Sequence, residues 1–164
     1  MSRTAIVLFI LQLAVIAPHS FGASNQPPLS ITIPDKVGAL VVGKSNYADV
    51  IRLLGEPELK ENTKTKYSEE DILELKYPHK GIEFIISKNK QMRVVRIEVY
   101  RPFSGSSIEG LRLGMPIIEA KKLIASQYGK PKIEFEGYVD WEIPNTFALK
   151  HEDGIVVAIK MLGK

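Results

Sequence analysis

The stretch Leu40–Pro57, "LVVGKSNYADVIRLLGEP", has a counterpart later in the chain, Leu111–Pro131, "LRLGMPIIEAKKLIASQYGKP". Each runs from a short extended approach, through a glycine turn, into a helix, and out at Gly-x-Pro. In the first, Tyr47, Val50, Ile51 and Leu54 fall at i, i+3, i+4 and i+7, which sets them on one stripe of a helix, with Asp49 and Arg52 on the other side. In the second, Ile117, Ala120, Ile124 and Tyr128 make the corresponding stripe, while Glu119, Lys121 and Lys122 face solvent. Gly55 and Gly129 stop the two helices, each followed two residues on by a proline that cannot continue them. The copies align only with gaps. One residue differs near the helix start, and the second helix is longer by about four residues, close to one turn of 3.6, so its exit falls on nearly the same face.

Alternating segments follow each helix. "ILELKYPHKGIEFIISKNKQMRVVRIEVY" predicts three strands whose inward residues are Leu73, Leu75 and Tyr77, then Ile82, Phe84 and Ile86, then Val95, Ile97 and Val99. The turns between them are "PHKG" and "KNKQ". "YVDWEIPNTFALKHEDGIVVAIKM" repeats the plan with Val139, Trp141 and Ile143, then Phe147 and Leu149, then Val157, Ile159 and Met161, and its last hairpin turns at Asp153-Gly154. The expected fold is α+β, two tandem α-β-β-β units forming one antiparallel sheet with helices on one face. The units span residues 38–101 and 111–164, joined by a Gly/Ser-rich linker, 102–110. Two copies are a duplication rather than a solenoid.

The first residues point to export. Arg3 precedes "AIVLFILQLAVIA" (Ala5–Ala17), a run without charge that is too short to cross a bilayer, and "PHSFGAS" places small residues around a cut after Gly22. Residues 1–22 therefore read as a signal peptide and 23–37 as a flexible leader, which leaves a mature chain from Ala23 in the periplasm or outside the cell. The chain has no cysteine. Export thus brings no disulfide framework, no thiol nucleophile and no cysteine for a lipid anchor. The net charge of +3, spread along the chain, is too weak to argue for nucleic acid.

"GALVVGKS" (Gly38–Ser45) fits the phosphate-loop pattern G-x-x-x-x-G-K-[ST]. Its variable positions are Ala-Leu-Val-Val, however, which favour a strand and resist the conformations that turn amides toward an anion. The parallel βαβ setting is missing as well. In the repeat frame Gly43 matches Gly114 and Lys44-Ser45 falls opposite Met115-Pro116, a turn and helix start where serine can cap and proline fits. No nucleotide and no other cofactor is expected.

Catalytic candidates are sparse. His19 lies in the leader, and His79 and His151 lie at turns, with no spacing that pairs them as metal ligands. The serines of "SGSS" lack a nucleophile-elbow context and read as linker. Glu69, Glu70 and Asp71 read as a solvated charge cluster, without the alternating oxygen ligands of a calcium loop. Strand parity sets Trp141 against the helix layer, as core. The opposite parity gives Glu74, Lys76, Glu83, Ile85, Val94, Arg96, Glu98 and Tyr100, then Tyr138, Asp140, Glu142, Val156, Ala158 and Lys160. Tyr and Arg among scattered aliphatics suit a contact patch, and a plain half-wet antiparallel sheet reads the same way.

"LGMPIIEAKKLI", "YGKP", "YVDWEI", "FALKHEDG" and "IVVAIKM" together resemble the small outer-membrane assembly lipoproteins of the SmpA/OmlA (BamE-like) group. The duplicated arrangement is similar to the β-lactamase inhibitor protein fold, and the resemblance covers most of Leu40–Lys164. It implies two units joined in one curved sheet, with recognition of another protein as the function. The lipoproteins carry an acylated cysteine that this chain lacks. The inhibitor plugs its target with an acidic residue on a hairpin that is basic here, "SKNKQ" (Ser87–Gln91). The expected function is an exported, non-catalytic protein-binding module, an envelope assembly accessory or a hydrolase inhibitor, whose partner is another envelope or secreted protein. Its contact residues would be Arg96, Glu98, Tyr100, Asp140, Glu142 and Lys160. The alternative is a small-ligand carrier or an unrecognised enzyme using the open sheet face.

Overall fold

The computed structural model describes residues 29–64, 70–107, 109–142 and 146–163, without the side chains of residues 142 and 146. The expected signal peptide, Glu69 and Ile143 lie outside them. Among the described residues the chain is α+β, with two α-helices and antiparallel strands in two sheets rather than the one expected, because the segment before α1 pairs with itself as a small sheet.

A small sheet comes first, built from β1 (Ile31–Thr32), β2 (Lys36–Val37) and β3 (Leu40–Val41). Helix α1 (Tyr47–Leu54) follows, then β4 (Leu59–Lys64), β5 (Asp71–Tyr77), β6 (Ile82–Ser87) and β7 (Val94–Tyr100). The second half has α2 (Ile117–Tyr128), β8 (Ile133–Phe135), β9 (Tyr138–Glu142), β10 (Thr146–Glu152) and β11 (Ile155–Leu162). Its strands complete an eight-stranded sheet in the order β4-β5-β6-β7-β11-β10-β9-β8, so the two halves meet where β7 pairs with β11. Each helix is thus followed by four strands, not the three expected. The extra ones, β4 and β8, are the sheet's ends and are fully exposed, so neither carries the apolar alternation that marks a strand buried on one face.

Both helices pack on one core. Val50 of α1 and Ala120 and Ile124 of α2 are buried in it with Leu73, Leu75, Tyr77, Phe84, Ile97, Val99, Val139, Trp141, Phe147 and Ile159 of the sheet. Two side chains tie the helix exits to the sheet. The Tyr77 hydroxyl donates to the Gly55 carbonyl at 2.8 Å, and the Trp141 indole N–H donates to the Gly129 carbonyl at 3.1 Å. Gly55 and Gly129 adopt φ of 80° and 78°, where any other residue would be strained. Trp141, 1% exposed, is core as expected.

Three further expectations need correction. The leader was to reach residue 37, yet Ile31, Ile33 and Val37 are buried, because β1 and β2 pair two residues at a time around "IPDK" and leave too short a pattern to read. The linker is also packed. Phe103 and Ser107 are buried, the Ser107 hydroxyl accepts from the Leu111 amide, and a Cβ on Gly105 would sit 1.9 Å from the Leu29 carbonyl oxygen. Last, Val94 and Val156 point into the core in place of Val95 and Val157. Pairing skips Val95 between Ile85↔Arg96 and Ile86↔Val94, and skips Val157 between Lys150↔Ala158 and His151↔Val156. A bulge of this kind puts two residues opposite one and reverses the parity beyond it.

Candidate functional site

The register lines up the side chains of the uncovered sheet face into rows. One row reads Leu59, Lys76, Glu83, Glu98, Lys160, Ala148, Asp140, Ile133 across the eight strands. Glu83 stands directly opposite Glu98, a like-charge pair that is unfavourable alone. Two cations offset it. Arg96 reaches Glu83 at 3.0 Å and lies 4.0 Å from Glu98, and Lys160 reaches Glu98 at 3.3 Å. These four side chains are only 17% to 29% exposed although α1 and α2 both pack on the opposite face. Further toward β4, Lys76 is held between Glu61 at 2.6 Å and Glu74 at 3.0 Å, and both hydrogen bonds push its pKa up.

Aromatic groups border the charges. Lys160 Nζ lies 5.3 Å from the Tyr138 ring centroid, within cation–π range. Phe135 stacks on Tyr138 at 5.5 Å. Tyr100 is half-buried beside Ala158, and burial, reinforced by Glu83 and Glu98, raises its pKa. Burial likewise raises the pKa of Asp140, with Lys132 opposing. Among the described residues Arg96 Nε and Asp140 Oδ1 make no hydrogen bond.

Of the expected contact residues, Arg96, Glu98, Tyr100, Asp140 and Lys160 therefore share one face. Glu142 lies in β9, and its side chain falls outside the described residues. Ile133 and Phe135 were missed on this face because "IEF" is too short to show a period. Strand pairing could have been inferred only from "EG", Glu136-Gly137, as a hairpin turn before Tyr138.

Among the described residues, the clefts at the margins of the sheet include three. One of about 410 Å³ runs between α2 and β8 by Lys121, Lys122 and Lys130. Another of about 320 Å³ lies by Glu70, Asp71 and Lys88. The third, about 620 Å³, lies by Glu136, Lys150, His151 and Asp153. His79 is exposed and pairs with Glu58. Among the described residues no group of three or more His, Asp or Glu could hold a metal ion, and no helix is long and apolar enough to cross a membrane.

The amides of "GALVVGKS" are spent inside the protein. Those of Gly38, Val42, Gly43, Lys44 and Ser45 donate to the carbonyls of Ser30, Asp35, Val94, Val41 and Val41 at 2.7 to 3.2 Å. The Val41 amide donates to the Ser45 hydroxyl at 3.0 Å. A phosphate loop turns such groups toward its anion. The helix cap is Asn46, not Ser45, and it forms a reciprocal box with Asp49.

No protein-family model matches the chain, and no curated protein is significantly similar to it. Among solved structures it is similar to YjgB, a DUF4309 family protein from Bacillus subtilis, at 16% identity over 80% of this chain and 86% of that one, with a TM-score of 0.43.

Proposed function

We propose that the chain is an exported, non-catalytic protein-binding module whose uncovered sheet face, around Arg96, Glu98, Tyr100, Asp140, Glu142 and Lys160, receives another envelope or secreted protein. The observation that carries this reading is the Glu83–Arg96–Glu98–Lys160 network. Its charges are held in place by one another on the face opposite α1 and α2, so a partner meets side chains that are already ordered. Among the described residues Arg96 Nε and Asp140 Oδ1 make no hydrogen bond, and a small turn of either side chain would offer them to complementary groups. The two halves, each a glycine turn, a helix and four strands, support a tandem duplication of the kind that the assembly lipoproteins and the β-lactamase inhibitor protein suggest.

The test begins with capture of partners from the host's envelope fraction, in which the mature amino terminus is expected near Ala23. Tyr100→Ala is then expected to weaken binding by about 1 kcal/mol or more, as for an interface anchor. Arg96→Ala is a poorer probe, because it leaves Glu83 facing Glu98 without the intervening cation and lowers stability too. A silent Tyr100 together with lost binding on changing Lys88 and Lys90 would move the contact to the hairpin tip and overturn the reading.

A further inference from the structure

The two ends of the eight-stranded sheet are protected unequally. A sheet's outer strand presents unpaired backbone groups, and charged side chains are one common defence against unwanted pairing. Strand β4 has this defence, with Lys60, Glu61 and Lys64 among six exposed residues, of which Leu59, 50% exposed, is the one large apolar side chain. At the other end β8 presents Ile133, 47% exposed, and Phe135, 59% exposed, both on the uncovered face. The equivalent of Phe135 in β4 is Glu61, since Phe135 pairs with Tyr138 as Glu61 pairs with Glu74.

The β8 segment is also complementary to itself. When "KIEFE" (Lys132–Glu136), which is β8 with the bend residue Lys132 before it and the turn residue Glu136 after it, is laid antiparallel on a second copy about Glu134, Ile133 falls opposite Phe135 within the strands and Lys132 falls opposite Glu136 at their ends. Both pairings recur on the other side of the two-fold axis. Only Glu134 meets its own kind, and each Glu134 is already ion-paired to Lys121 of its own α2.

We propose that two copies of this chain associate through β8, joining their eight-stranded sheets edge to edge across a two-fold axis. The contact is isologous, so it closes at a dimer and does not propagate. Opposite charges at both ends fix the register, and Ile133 and Phe135 of each copy cover one another on the uncovered face. A three-residue strand limits the buried area, so the dimer is weak and concentration-dependent. The association involves no other protein and leaves Tyr100 and the Arg96 network uncovered, so its failure and the failure of the proposed partner contact are separable.

The experiment is sedimentation analysis of the chain in the form its host accumulates. A reversible monomer–dimer equilibrium is expected. Glu136→Lys places Lys132 against lysine, and Lys132→Glu places glutamate against Glu136, twice per dimer in each case. Each variant alone is expected to dimerise about tenfold more weakly or not at all. An equimolar mixture of the two restores both attractions and is expected to form the heterodimer at about the wild-type affinity. Glu136 is exposed, so the melting curve of Glu136→Lys should match the wild type, whereas Lys132→Glu also removes the cation that opposes the burial of Asp140 and should melt somewhat lower; the mixture with Glu136→Lys separates that loss from the loss of pairing. A chain that stays monomeric at its highest soluble concentration overturns the proposal. So do single variants that dimerise as the wild type does, or a mixture that fails to pair.

Discussion

In the first half of the chain α1 ends at Gly55, whose carbonyl receives the Tyr77 hydroxyl; in the second, α2 ends at Gly129, whose carbonyl receives the Trp141 indole. The agreement continues at the helix starts. Gly43 and Gly114 donate to the carbonyls of Val94 and Val156, and the amides of Val94 and Val156 return to Ser45 and Met115. Tyr47 and Ile117 then donate to Met92 and Gly154. The uncovered face does not follow this pattern. Lys76, Glu83, Glu98 and Arg96 correspond to Asp140, Ala148, Lys160 and Ala158. All four positions are thus charged in the first half, whereas two of the four are alanine in the second. The joints between helix and sheet are constrained by hydrogen bonds that buried groups must make. The open face is free of that demand, and there the halves differ.

The comparison is broken most sharply at the two aromatic tethers. Trp141→Ala removes a buried indole and leaves the Gly129 carbonyl without its donor, and a loss of about 3 to 5 kcal/mol is expected. Tyr77→Ala should cost a similar amount, while Tyr77→Phe, which keeps the ring, should cost only about 1 kcal/mol. Urea unfolding measures all three. A Trp141→Ala loss under about 1 kcal/mol would mean that the indole does not carry the second half as Tyr77 carries the first.

Much of this arrangement was legible before the structure, because it rests on local signals. The helix stripes, the two glycine exits, the Asp153-Gly154 hairpin and the core position of Trp141 all follow from periodicity and turn chemistry. Leu53 packs on the core where Ile51 was expected, a shift of two positions on a short helix. The bulges were illegible because Val94-Val95 and Val156-Val157 are pairs of equally apolar, β-branched residues, and either member of each can face inward. Edge strands β4 and β8 were missed because exposed strands need no apolar alternation. On the candidate site, parity alone brought Arg96, Glu98, Tyr100, Asp140 and Lys160 to one face. That Glu83 opposes Glu98, and that Arg96 serves both, depends on register between strands, which composition does not encode.

The helix starts offer a smaller contrast. Asn46 caps α1 through a side-chain bond to the Asp49 amide at 3.1 Å, whereas Pro116 stands at the same place before α2 and makes no side-chain bond. Asn46→Ala is therefore expected to cost about 1 kcal/mol. Pro116→Ala should stay within about 0.5 kcal/mol, since only the preset φ is lost. Equal losses in thermal melts would show that the cap does not distinguish the halves.

The smallest effect is expected at Lys44, and it bears most directly on the phosphate-loop pattern. Matching by hydrogen bonds pairs Ser45 with Met115 and Asn46 with Pro116, which corrects the alignment that set Lys44-Ser45 against Met115-Pro116. Lys44 is then the one residue the first half has in excess between its glycine and its helix. It is exposed, while Ser45 and Met115, its neighbours in this scheme, are buried. In a phosphate loop the lysine is the residue the nucleotide needs most, whereas in an inserted turn position it contributes almost nothing. Lys44→Ala should accordingly change stability by less than about 0.5 kcal/mol and leave partner binding intact. Calorimetric titration with ATP decides the matter from the other side: affinity that is present in the wild type and lost in Lys44→Ala would mean that the Gly43–Ser45 turn rearranges to free its amides, and the equivalence of the two helix starts would no longer hold.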